Sequence, residues 1–241
     1  MNAISSNYRE LRPDEVPEVA AMCAEAWKDP RIPMRQYESA ARKELEAFRR
    51  GEGCRPYDVL IDCLRHIPTW DRPRVLDVGA SGGYYSEILK VAGFDARYTG
   101  LDFSPAFQQL ARNLYPAIDF DLGDAAALPY RDDWYDVVLH GAVIMHSLQY
   151  PSVIGEASRV SRQYVVFHRT PILRDKPTSY FLKEGYGIPM LEIHFNEGEL
   201  LDLFQSHGLK VVYSAKVFWD GTFGHWDYLL EKSAGLNHVQ V

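Results

Sequence analysis

The residues best suited to binding chemistry are an acid and a glycine-rich turn in the stretch DVGASGG, residues 77–83. Asp77 ends an apolar run typical of a buried strand, and Gly79 and Gly83 follow it just before a helical pattern resumes. A glycine turn at a helix N-terminus lets a ligand approach the backbone, and ligands of parallel sheets bind beyond the carboxyl ends of the strands. The stretch predicts such a ligand site, although a glycine turn alone also occurs as a plain strand-to-helix connection.

Two further acids follow later apolar runs. Asp102 lies 25 residues after Asp77, and Asp124 follows the next run. In nucleotide-binding sheets, an acid about 20 residues after the glycine turn accepts hydrogen bonds from ribose hydroxyls. Taken singly, Asp102 could cap a helix and Asp124 could cap a turn. Together, at successive strand ends, the three acids favour a functional site over separate structural caps.

The glycine turn does not match a dinucleotide fingerprint. The pattern G-x-G-x-x-G counted from Gly79 requires glycines where Ser81 and Tyr84 stand. A nicotinamide-dependent oxidoreductase is therefore the weakest of the functions considered.

Composition sets wider bounds on function. The chain has 241 residues, of which 46% are hydrophobic and 24% charged, and its formal net charge is -7. These values indicate a globular protein and disfavour binding to bulk nucleic acid or to an anionic membrane. Because no apolar segment has the length of a signal peptide or a bilayer span, we expect a cytoplasmic protein. The three cysteines form no C-x-x-C pair, so we expect reduced packing residues. Nothing in the sequence indicates the oligomeric state.

The order of the predicted elements indicates the fold class. Three helices are expected before residue 70, with Asp14 as the cap of the first. Short apolar strands then alternate with helices up to residue 168, which is typical of a doubly wound, mostly parallel α/β sheet. The last two strands, LKVVYSAKVF and HWDYLLEK, are expected to form an antiparallel pair. The predicted strands are 74–78, 96–102, 117–121, 135–140, 164–168, 209–218 and 225–232.

The segment D-x-G-x-S-G-G resembles the first motif of the class I S-adenosylmethionine-dependent methyltransferases, usually D/E-x-G-x-G-x-G. Asp77, Gly79 and Gly83 match this motif, and Ser81 replaces its middle glycine. The stretches YTGLDFSPAFQQLAR and DLGDAAALPYRDDWYDVVLHGAVIMHSL resemble the later motifs, so that the likeness spans roughly residues 74–168. The resemblance implies a Rossmann-like sheet of seven strands, with S-adenosylmethionine as the cofactor.

The resemblance also implies a role for individual residues. The backbone of the turn would pass against the methionine part of the cofactor, and Asp77 would orient that turn. Asp102 would accept hydrogen bonds from both ribose hydroxyls, and the carbonyl of His140 would face the amino group. The turn residues are Gly79, Ala80, Ser81 and Gly83; the residues beside the adenine are Phe103, Asp124 and Ala125.

Two histidines are candidates for catalysis. A sulfonium methyl is already electrophilic, so the protein mainly aligns the acceptor and excludes water. Where the acceptor must lose a proton, histidine can serve as the base at neutral pH. His146 follows the fourth strand, where the resembling motif often carries a histidine, but it could equally pack or cap the next helix. His168, with Arg169, ends the fifth strand as a pocket residue that acts either as a base or as a hydrogen-bond donor.

The remaining expectations concern domains, specificity and metal. Residues 1–70 are expected as a helical extension or lid, 71–232 as the methyltransferase domain with a substrate-loop insertion around 169–196, and 233–241 as a tail. Aromatic residues in that insertion and near residues 219–226 would suit a small aromatic or apolar acceptor. We expect no metal, since Asp132 and Asp133 look like a solvated turn. The favoured function is small-molecule methyl transfer; the alternative is a regulatory or partner protein that binds S-adenosylmethionine without transferring the methyl group.

Overall fold

The N-terminal part of the computed structural model is helical, as predicted. The structure describes residues 8–233, so residues 1–7 of the expected extension and nearly all of the expected tail lie outside the described residues. Helix α1 begins at Val16 without a side-chain cap, and Asp14 lies in the turn before it, so the prediction of an Asp14 cap was wrong. The elements here are β1 (Arg9–Glu10), α1 (Val16–Ala26), α2 (Ile32–Gln36), a π-helical turn (Tyr37–Ala41), α3 (Arg42–Arg49) and α4 (Arg55–Leu64).

The central sheet is parallel over its first five strands and antiparallel at one side. Strands β4, β3, β2, β5 and β6 lie side by side in that order and run parallel. Strand β10 pairs antiparallel with both β6 and β9, which confirms the predicted pairing of the last two strands. The strands are β2 (Arg74–Val78), β3 (Arg97–Asp102), β4 (Asp119–Leu122), β5 (Tyr135–Gly141), β6 (Ser161–Leu173), β9 (Leu209–Trp219) and β10 (Phe223–Lys232).

Helices cover both faces of this sheet because its inner strands are apolar on both sides. Val137 and Val166 pack into one core with α4 and α5, whereas their neighbours Val138 and Val165 pack into the other core with α7 and α8. Each face therefore has its own buried apolar cluster, which is the physical basis of a doubly wound fold. The predicted fold class is confirmed. The helices are α5 (Tyr85–Val91), α6 (Pro105–Leu114), α7 (Tyr150–Val160) and α8 (Glu197–Ser206).

The segment expected as a long connection at 169–196 is instead largely strand. Strand β6 continues to Leu173, and β7 (Ser179–Gly185) and β8 (Ile188–Asn196) form an antiparallel hairpin. The hairpin joins the sheet through the end of β6 and carries β1 on its outer edge. The hydrogen-bonded sheet thus has ten strands in residues 8–233, which are the seven expected and three more. Polar residues scattered through 169–196 hid the alternation that a strand pattern needs.

Two further expectations can be compared with the described residues. No helix within residues 8–233 is long and apolar enough to cross a membrane. Cys23, Cys54 and Cys63 are buried and unpaired, in agreement with their prediction as reduced packing residues.

Candidate cofactor and acceptor site

The glycine turn after β2 needs glycine at two positions. Gly79 has a φ of +70° and Gly83 a φ of +77°, both in the left-handed region that favours glycine. A Cβ atom at Gly79 would overlap the side chain of Val143, and one at Gly83 would overlap the ring of Phe120. The N–H groups of Gly79 and Ala80 both donate to the carbonyl of Leu101. The turn is thereby held against the end of β3, where Asp102 stands.

Asp77 is completely buried beneath this turn. The hydroxyl of Tyr98 donates to its Oδ2, while Oδ1 has no hydrogen-bond partner within residues 8–233. Burial raises the pKa of Asp77 to about 7, because the ionised carboxylate loses its hydration; the Tyr98 hydrogen bond opposes this rise and the nearby Asp102 adds to it. An unpartnered acceptor atom here fits a ligand that brings a donor or a positive charge.

Asp102 joins the turn to the next helix. Its Oδ2 accepts the N–H of Ser81 at 3.0 Å and its Oδ1 accepts the N–H of Ser104 at 3.0 Å. Burial raises the pKa of Asp102 to about 6, and the backbone N–H donors work against this rise. The neighbouring Phe103 leaves 43% of its surface exposed, which is high for a phenylalanine and suits contact with a flat ligand.

Ser81 departs from the usual glycine and makes a contact of its own. It adopts a φ of +51°, which costs a residue with a Cβ atom about 1 kcal/mol. Its hydroxyl donates to Oε1 of Gln36 at the end of α2. The turn is therefore tied to the N-terminal helices through a residue that would be glycine in the usual motif. The role of Gln36 could not be found from the sequence, since a lone glutamine on a helix carries no spacing signal.

The remaining predicted cofactor residues lie along the same edge. Asp124 is exposed, and its Oδ1 accepts the N–H of Ala126, so Asp124 caps a turn, which is the structural role considered for it from the sequence. Ala125 is half-buried beside it. His140 is buried next to Phe167, and neither ring nitrogen has a partner in the described chain. Burial lowers the pKa of His140 to about 3, so its side chain is neutral and works as an apolar filler.

His146 stands in a short 3₁₀ turn after β5, half-buried against Trp27. Its Nδ1 lies 2.6 Å from the carbonyl oxygen of Leu191, so Nδ1 carries the proton and donates it. Nε2 is then an acceptor, and it forms no hydrogen bond with residues 8–233. Burial lowers the pKa of His146 to about 4, and the charge of Lys183 lowers it further, whereas Glu192 acts in the opposite direction.

His168 is paired with Asp227 and fully buried. Its Nδ1 lies 2.8 Å from Oδ2 of Asp227, whose Oδ1 accepts the N–H of Arg169 at 2.8 Å. Nε2 of His168 has no partner within the described residues, and the ring meets the edge of Tyr85. Asp227 lies at an irregularity in the pairing of β10 with β6, a feature that re-aims side chains. The sequence did not identify Asp227 as a partner of His168, because a β-bulge has no short-range sequence pattern.

Three of the predicted aromatic residues lie in two different places. Tyr186 lies beside Trp27, which also contacts His146 and Phe107, so these rings form one wall near the strand ends. Trp219 and Trp226 instead pack around the guanidinium of Arg174 near the tip of the β9–β10 hairpin. Within residues 8–233 no group of three or more histidine, cysteine or acidic side chains could hold a metal ion.

These observations fit an adenosyl ligand with a positively charged end. The turn would not tolerate Cβ atoms at two positions, Asp77 holds an unpartnered oxygen, and Asp102 is a carboxylate fixed by the backbone at the neighbouring strand end. Carboxylates accept hydrogen bonds from hydroxyl and ammonium donors, and an exposed ring beside them packs on a base.

Comparison with known proteins agrees with this geometry. Residues 76–167 match a family model described as a methyltransferase domain. A probable S-adenosylmethionine-dependent methyltransferase of Mycolicibacterium smegmatis is 31% identical over 147 residues, which cover 60% of this chain and 54% of that protein. The matched part of the chain spans about half the length, or less, of this relative and of a demethylmenaquinone methyltransferase of Renibacterium salmoninarum.

Solved structures show the same fold at low sequence identity. The 1,6-didemethyltoxoflavin-N1-methyltransferase of Burkholderia thailandensis, solved with 1,6-didemethyltoxoflavin and S-adenosylhomocysteine, has a TM-score of 0.60. That likeness covers 96% of this chain and 98% of that chain at 17% identity. The [4+2]-cyclase SpnF has a TM-score of 0.58 at 15% identity and covers 74% of this chain and 81% of its own.

The fold and the strand-end site thus define a class I methyltransferase domain. Residues 76–167 belong to the S-adenosylmethionine-dependent methyltransferases, and S-adenosylmethionine is the cofactor of this domain. The resemblance read from the sequence and the cofactor that it implied are confirmed. The roles of the individual site residues stay predictions.

Proposed function

We propose that this protein transfers a methyl group from S-adenosylmethionine to a small-molecule acceptor by in-line displacement. The observation that carries the proposal is the buried Asp102, which is fixed by two backbone N–H groups at the edge of a turn that excludes side chains at Gly79 and Gly83. This arrangement lies inside the segment that matches the methyltransferase domain.

In this reaction the cofactor and the protein residues have separate roles. When bound, S-adenosylmethionine supplies an electrophilic methyl group. We assign Asp102 to the ribose hydroxyls, Phe103 with Asp124 and Ala125 to the adenine, and Asp77 to the amino end by way of the turn. The chain's own contribution is then to hold the acceptor in line and to exclude water.

His146 is our candidate for the residue that meets the acceptor. Its Nδ1 donates to Leu191, which leaves Nε2 as an acceptor for a proton or a hydrogen bond. Because the pKa of His146 is lowered to about 4, the ring is neutral at pH 7 and is a weak base. It suits an acceptor whose proton is already acidic, and it would orient that proton rather than remove it from an unactivated group.

We propose His168 as a positioning residue. The alternative role as a base is tested below with His168→Ala. Its ring is fully buried, and Asp227 fixes its tautomer. For Nε2 to receive a proton from an acceptor, the residues that bury it would have to move. A buried, oriented imidazole supports the pocket without having to touch the acceptor.

The acceptor class follows from the wall beside His146. The ring centroids of Phe107 and Tyr186 each lie 6.2 Å from that of Trp27, and such a wall favours a planar or apolar acceptor. A relative with the same fold is solved with 1,6-didemethyltoxoflavin. Transfer to a planar small molecule is therefore the form of the reaction that we favour over nucleic-acid substrates, which the net charge of -7 disfavours.

Cofactor binding is tested by calorimetric titration with S-adenosylhomocysteine, S-adenosylmethionine and, as a control, NAD. We expect the first two to bind and Asp102→Ala to weaken both by about 100-fold, since two hydrogen bonds to a charged group are lost. Asp119→Ala changes an exposed acid on β4 and should leave binding unchanged. Binding of NAD alone, or of none of the three, would refute the proposal.

Methyl transfer is tested with labelled S-adenosylmethionine and a panel of phenols, aromatic acids and nitrogen heterocycles. For an acceptor that is methylated, His146→Ala should lower kcat about 100-fold or more while the affinity for S-adenosylhomocysteine stays within threefold. Unchanged kcat would remove His146 from the mechanism. His168→Ala in the same assay decides between the base and the positioning role, since only the first abolishes the pH dependence of kcat.

The alternative is a protein that binds S-adenosylmethionine without transferring the methyl group. It has one observation in its favour, which is that the [4+2]-cyclase SpnF shares this fold, so that the fold does not by itself fix the reaction. Cofactor binding without transfer to any member of the panel would support this alternative. The cytoplasmic location and the division into a 1–70 extension, a 71–232 domain and a 233–241 tail stay predictions.

A further inference from the structure

Arg169 carries a charge that no residue of the described chain neutralises by contact. It follows His168 at the end of the parallel part of β6, with a φ of +58°. Its backbone N–H donates to Asp227, but its guanidinium forms no hydrogen bond or ion pair within residues 8–233. The residue is half-buried. A guanidinium that is partly shielded from water and has no protein partner is available to a ligand that supplies one.

The strand pairing around Arg169 places its backbone between the end of β5 and β10. Its charge acts on Tyr84, which follows the glycine turn, and on Tyr186 at the tip of the β7–β8 hairpin. It also acts on His146 and on His225 of β10. These four residues come from four different segments, and the strand pairs of His168 with Gly141 and of Thr170 with Trp226 bring the backbone of Arg169 beside β10 and beside the end of β5, which leads to His146.

The other charged groups near this point are already engaged or are not in contact. Lys183 and His194 both contact the buried carboxylate of Glu192, and the hydroxyl of Tyr8 donates to it as well. Glu44 favours the charged form of Arg169 through space but forms no ion pair with it. Among residues 8–233, Arg169 is therefore a cation that remains available to a ligand at this place.

The backbone that carries Arg169 is held rigidly. Asp227 accepts hydrogen bonds from His168 and from the N–H of Arg169, one at each carboxylate oxygen. The carbonyl of His168 accepts the N–H of Ala142 at 3.0 Å, which ties β6 to the loop after β5. Such double support keeps a non-glycine residue in a left-handed conformation, which is a form of strain found at functional sites.

We propose that Arg169 binds a carboxylate at the junction between the cofactor and the acceptor. A guanidinium pairs with a planar carboxylate through two parallel hydrogen bonds, which fixes both position and orientation. The carboxylate has two possible sources, the acceptor or the methionine part of the cofactor. The charge of Arg169 acts on Tyr186 of the aromatic wall, which favours the acceptor as the source, so an aromatic acid is the substrate class that we infer. The inference rests on the proposed function.

The experiment separates the two sources with Arg169→Gln and Arg169→Lys. S-adenosylhomocysteine and 5′-methylthioadenosine, which lacks the amino-acid part, are titrated into wild type and both variants. Aromatic carboxylates (4-hydroxybenzoate, indole-3-carboxylate and 2-naphthoate) and their neutral amides are then titrated into protein saturated with S-adenosylhomocysteine. Arg174→Gln is the matched control, because Arg174 follows β6 but is exposed and paired with Glu197.

If the acceptor supplies the carboxylate, at least one acid binds the wild type about tenfold or more tightly than its amide. Arg169→Gln then abolishes this preference and leaves the affinity for S-adenosylhomocysteine unchanged. If the cofactor supplies it, Arg169→Gln weakens S-adenosylhomocysteine about tenfold and leaves 5′-methylthioadenosine unchanged. Arg169→Lys should keep part of the carboxylate binding in either case. Arg174→Gln should change neither the preference for acids nor the affinity for S-adenosylhomocysteine.

The proposal is overturned if Arg169→Gln alters neither the affinity for S-adenosylhomocysteine nor a preference for acids over amides, with thermal unfolding showing that the variant is folded. Failure of the proposed function looks different, because then the wild type itself does not bind S-adenosylhomocysteine. In that case the acids and amides are titrated into the cofactor-free protein, where loss of an acid preference in Arg169→Gln supports the carboxylate site and no preference in the wild type refutes it.

Discussion

Asp77 and Asp102 are carboxylates whose burial opposes their ionisation. With pKa values raised to about 7 and about 6, both cost the cofactor-free protein free energy at neutral pH. Their retention at the strand ends makes sense if a ligand brings hydroxyl or ammonium donors that compensate for the lost hydration. These two carboxylates therefore lower the stability of the cofactor-free protein, as is common where function and stability compete.

Asp77→Asn should therefore stabilise the cofactor-free protein, and increasingly so at higher pH. The pKa of Asp77 is higher in the folded chain than the value of about 3.9 for an exposed aspartate, so the folded state is penalised as pH rises from about 4 through 7. The amide cannot ionise, and its oxygen can still accept the Tyr98 hydrogen bond. From pH 4.5 to pH 8, the gain of the variant over wild type in the free energy of unfolding should grow by a few kcal/mol.

Urea unfolding of both proteins at several pH values measures this difference. Asp71→Asn, at an exposed position, serves as the control and should show no comparable trend. If the difference in the free energy of unfolding between Asp77→Asn and wild type does not vary with pH, then folding does not raise the pKa of Asp77. The same variant should bind S-adenosylhomocysteine more weakly, which separates its gain in stability from its loss of function.

At the scale of the elements, the Ser81–Gln36 hydrogen bond links the glycine turn to α2. The N-terminal helices are thus connected to the cofactor turn through one hydroxyl group. Tyr37, the next residue, lies near Gly82 of the same turn, so the helix end packs over it as well. This contact would let the turn and the helical extension respond to the cofactor together.

Ser81→Gly and Ser81→Ala should have different effects on stability and the same effect on this link. Both remove the hydroxyl, but only glycine relieves the positive φ, so the glycine variant should be about 1 kcal/mol more stable than the alanine variant. Hydrogen exchange of the amides in 32–41 should become faster in both. Ser39→Ala, which removes a hydroxyl bonded only within its own helix, should not change exchange beyond its own turn. Unchanged exchange in both Ser81 variants would show that the hydrogen bond does not hold the helix.

The elements also show what a sequence can and cannot predict. The strands and the acids at their ends were predictable because apolar runs and turn residues are local signals. The β7–β8 hairpin was missed, since residues such as Lys183 and Glu184 interrupt its apolar pattern and the buried ion pair of Lys183 with Glu192 forms only in the folded chain. Asp227, Gln36 and the surroundings of Arg169 depend on contacts between distant segments, which one sequence does not display.

In the whole molecule, β10 lies where the N-terminal helices pack against the sheet. It lies between β6 and β9, and α4 from the N-terminal part packs on this side of the sheet, where Tyr213 donates to Asp62 and Arg55 donates to the carbonyl of Lys216. Leu229 of β10 is completely buried in the core that α4 and α5 share. The helical extension and the sheet therefore share one hydrophobic core.

Leu229→Ala should destabilise the whole protein by about 2 to 5 kcal/mol, because it leaves a cavity in that shared core. Urea unfolding should show a single transition that moves to lower denaturant, followed both by helix content and by tryptophan fluorescence. Phe218→Ala, at a residue with 43% of its surface exposed, should shift the transition far less. Two separate transitions, with only one of them displaced, would show that the helices fold independently of the sheet.

The place of β10 in the sheet also has a consequence for biosynthesis. A ribosome makes β6 long before residues 223–232, yet β6 completes its pairing only when β10 is inserted beside it. Until then β6 presents an open edge to other chains, and His168 and Arg169 lack the carboxylate of Asp227 that holds them. Because Leu229 of β10 also completes the core that α4 and α5 share, translation that stops short of β10 should leave both that core and the acceptor side incomplete.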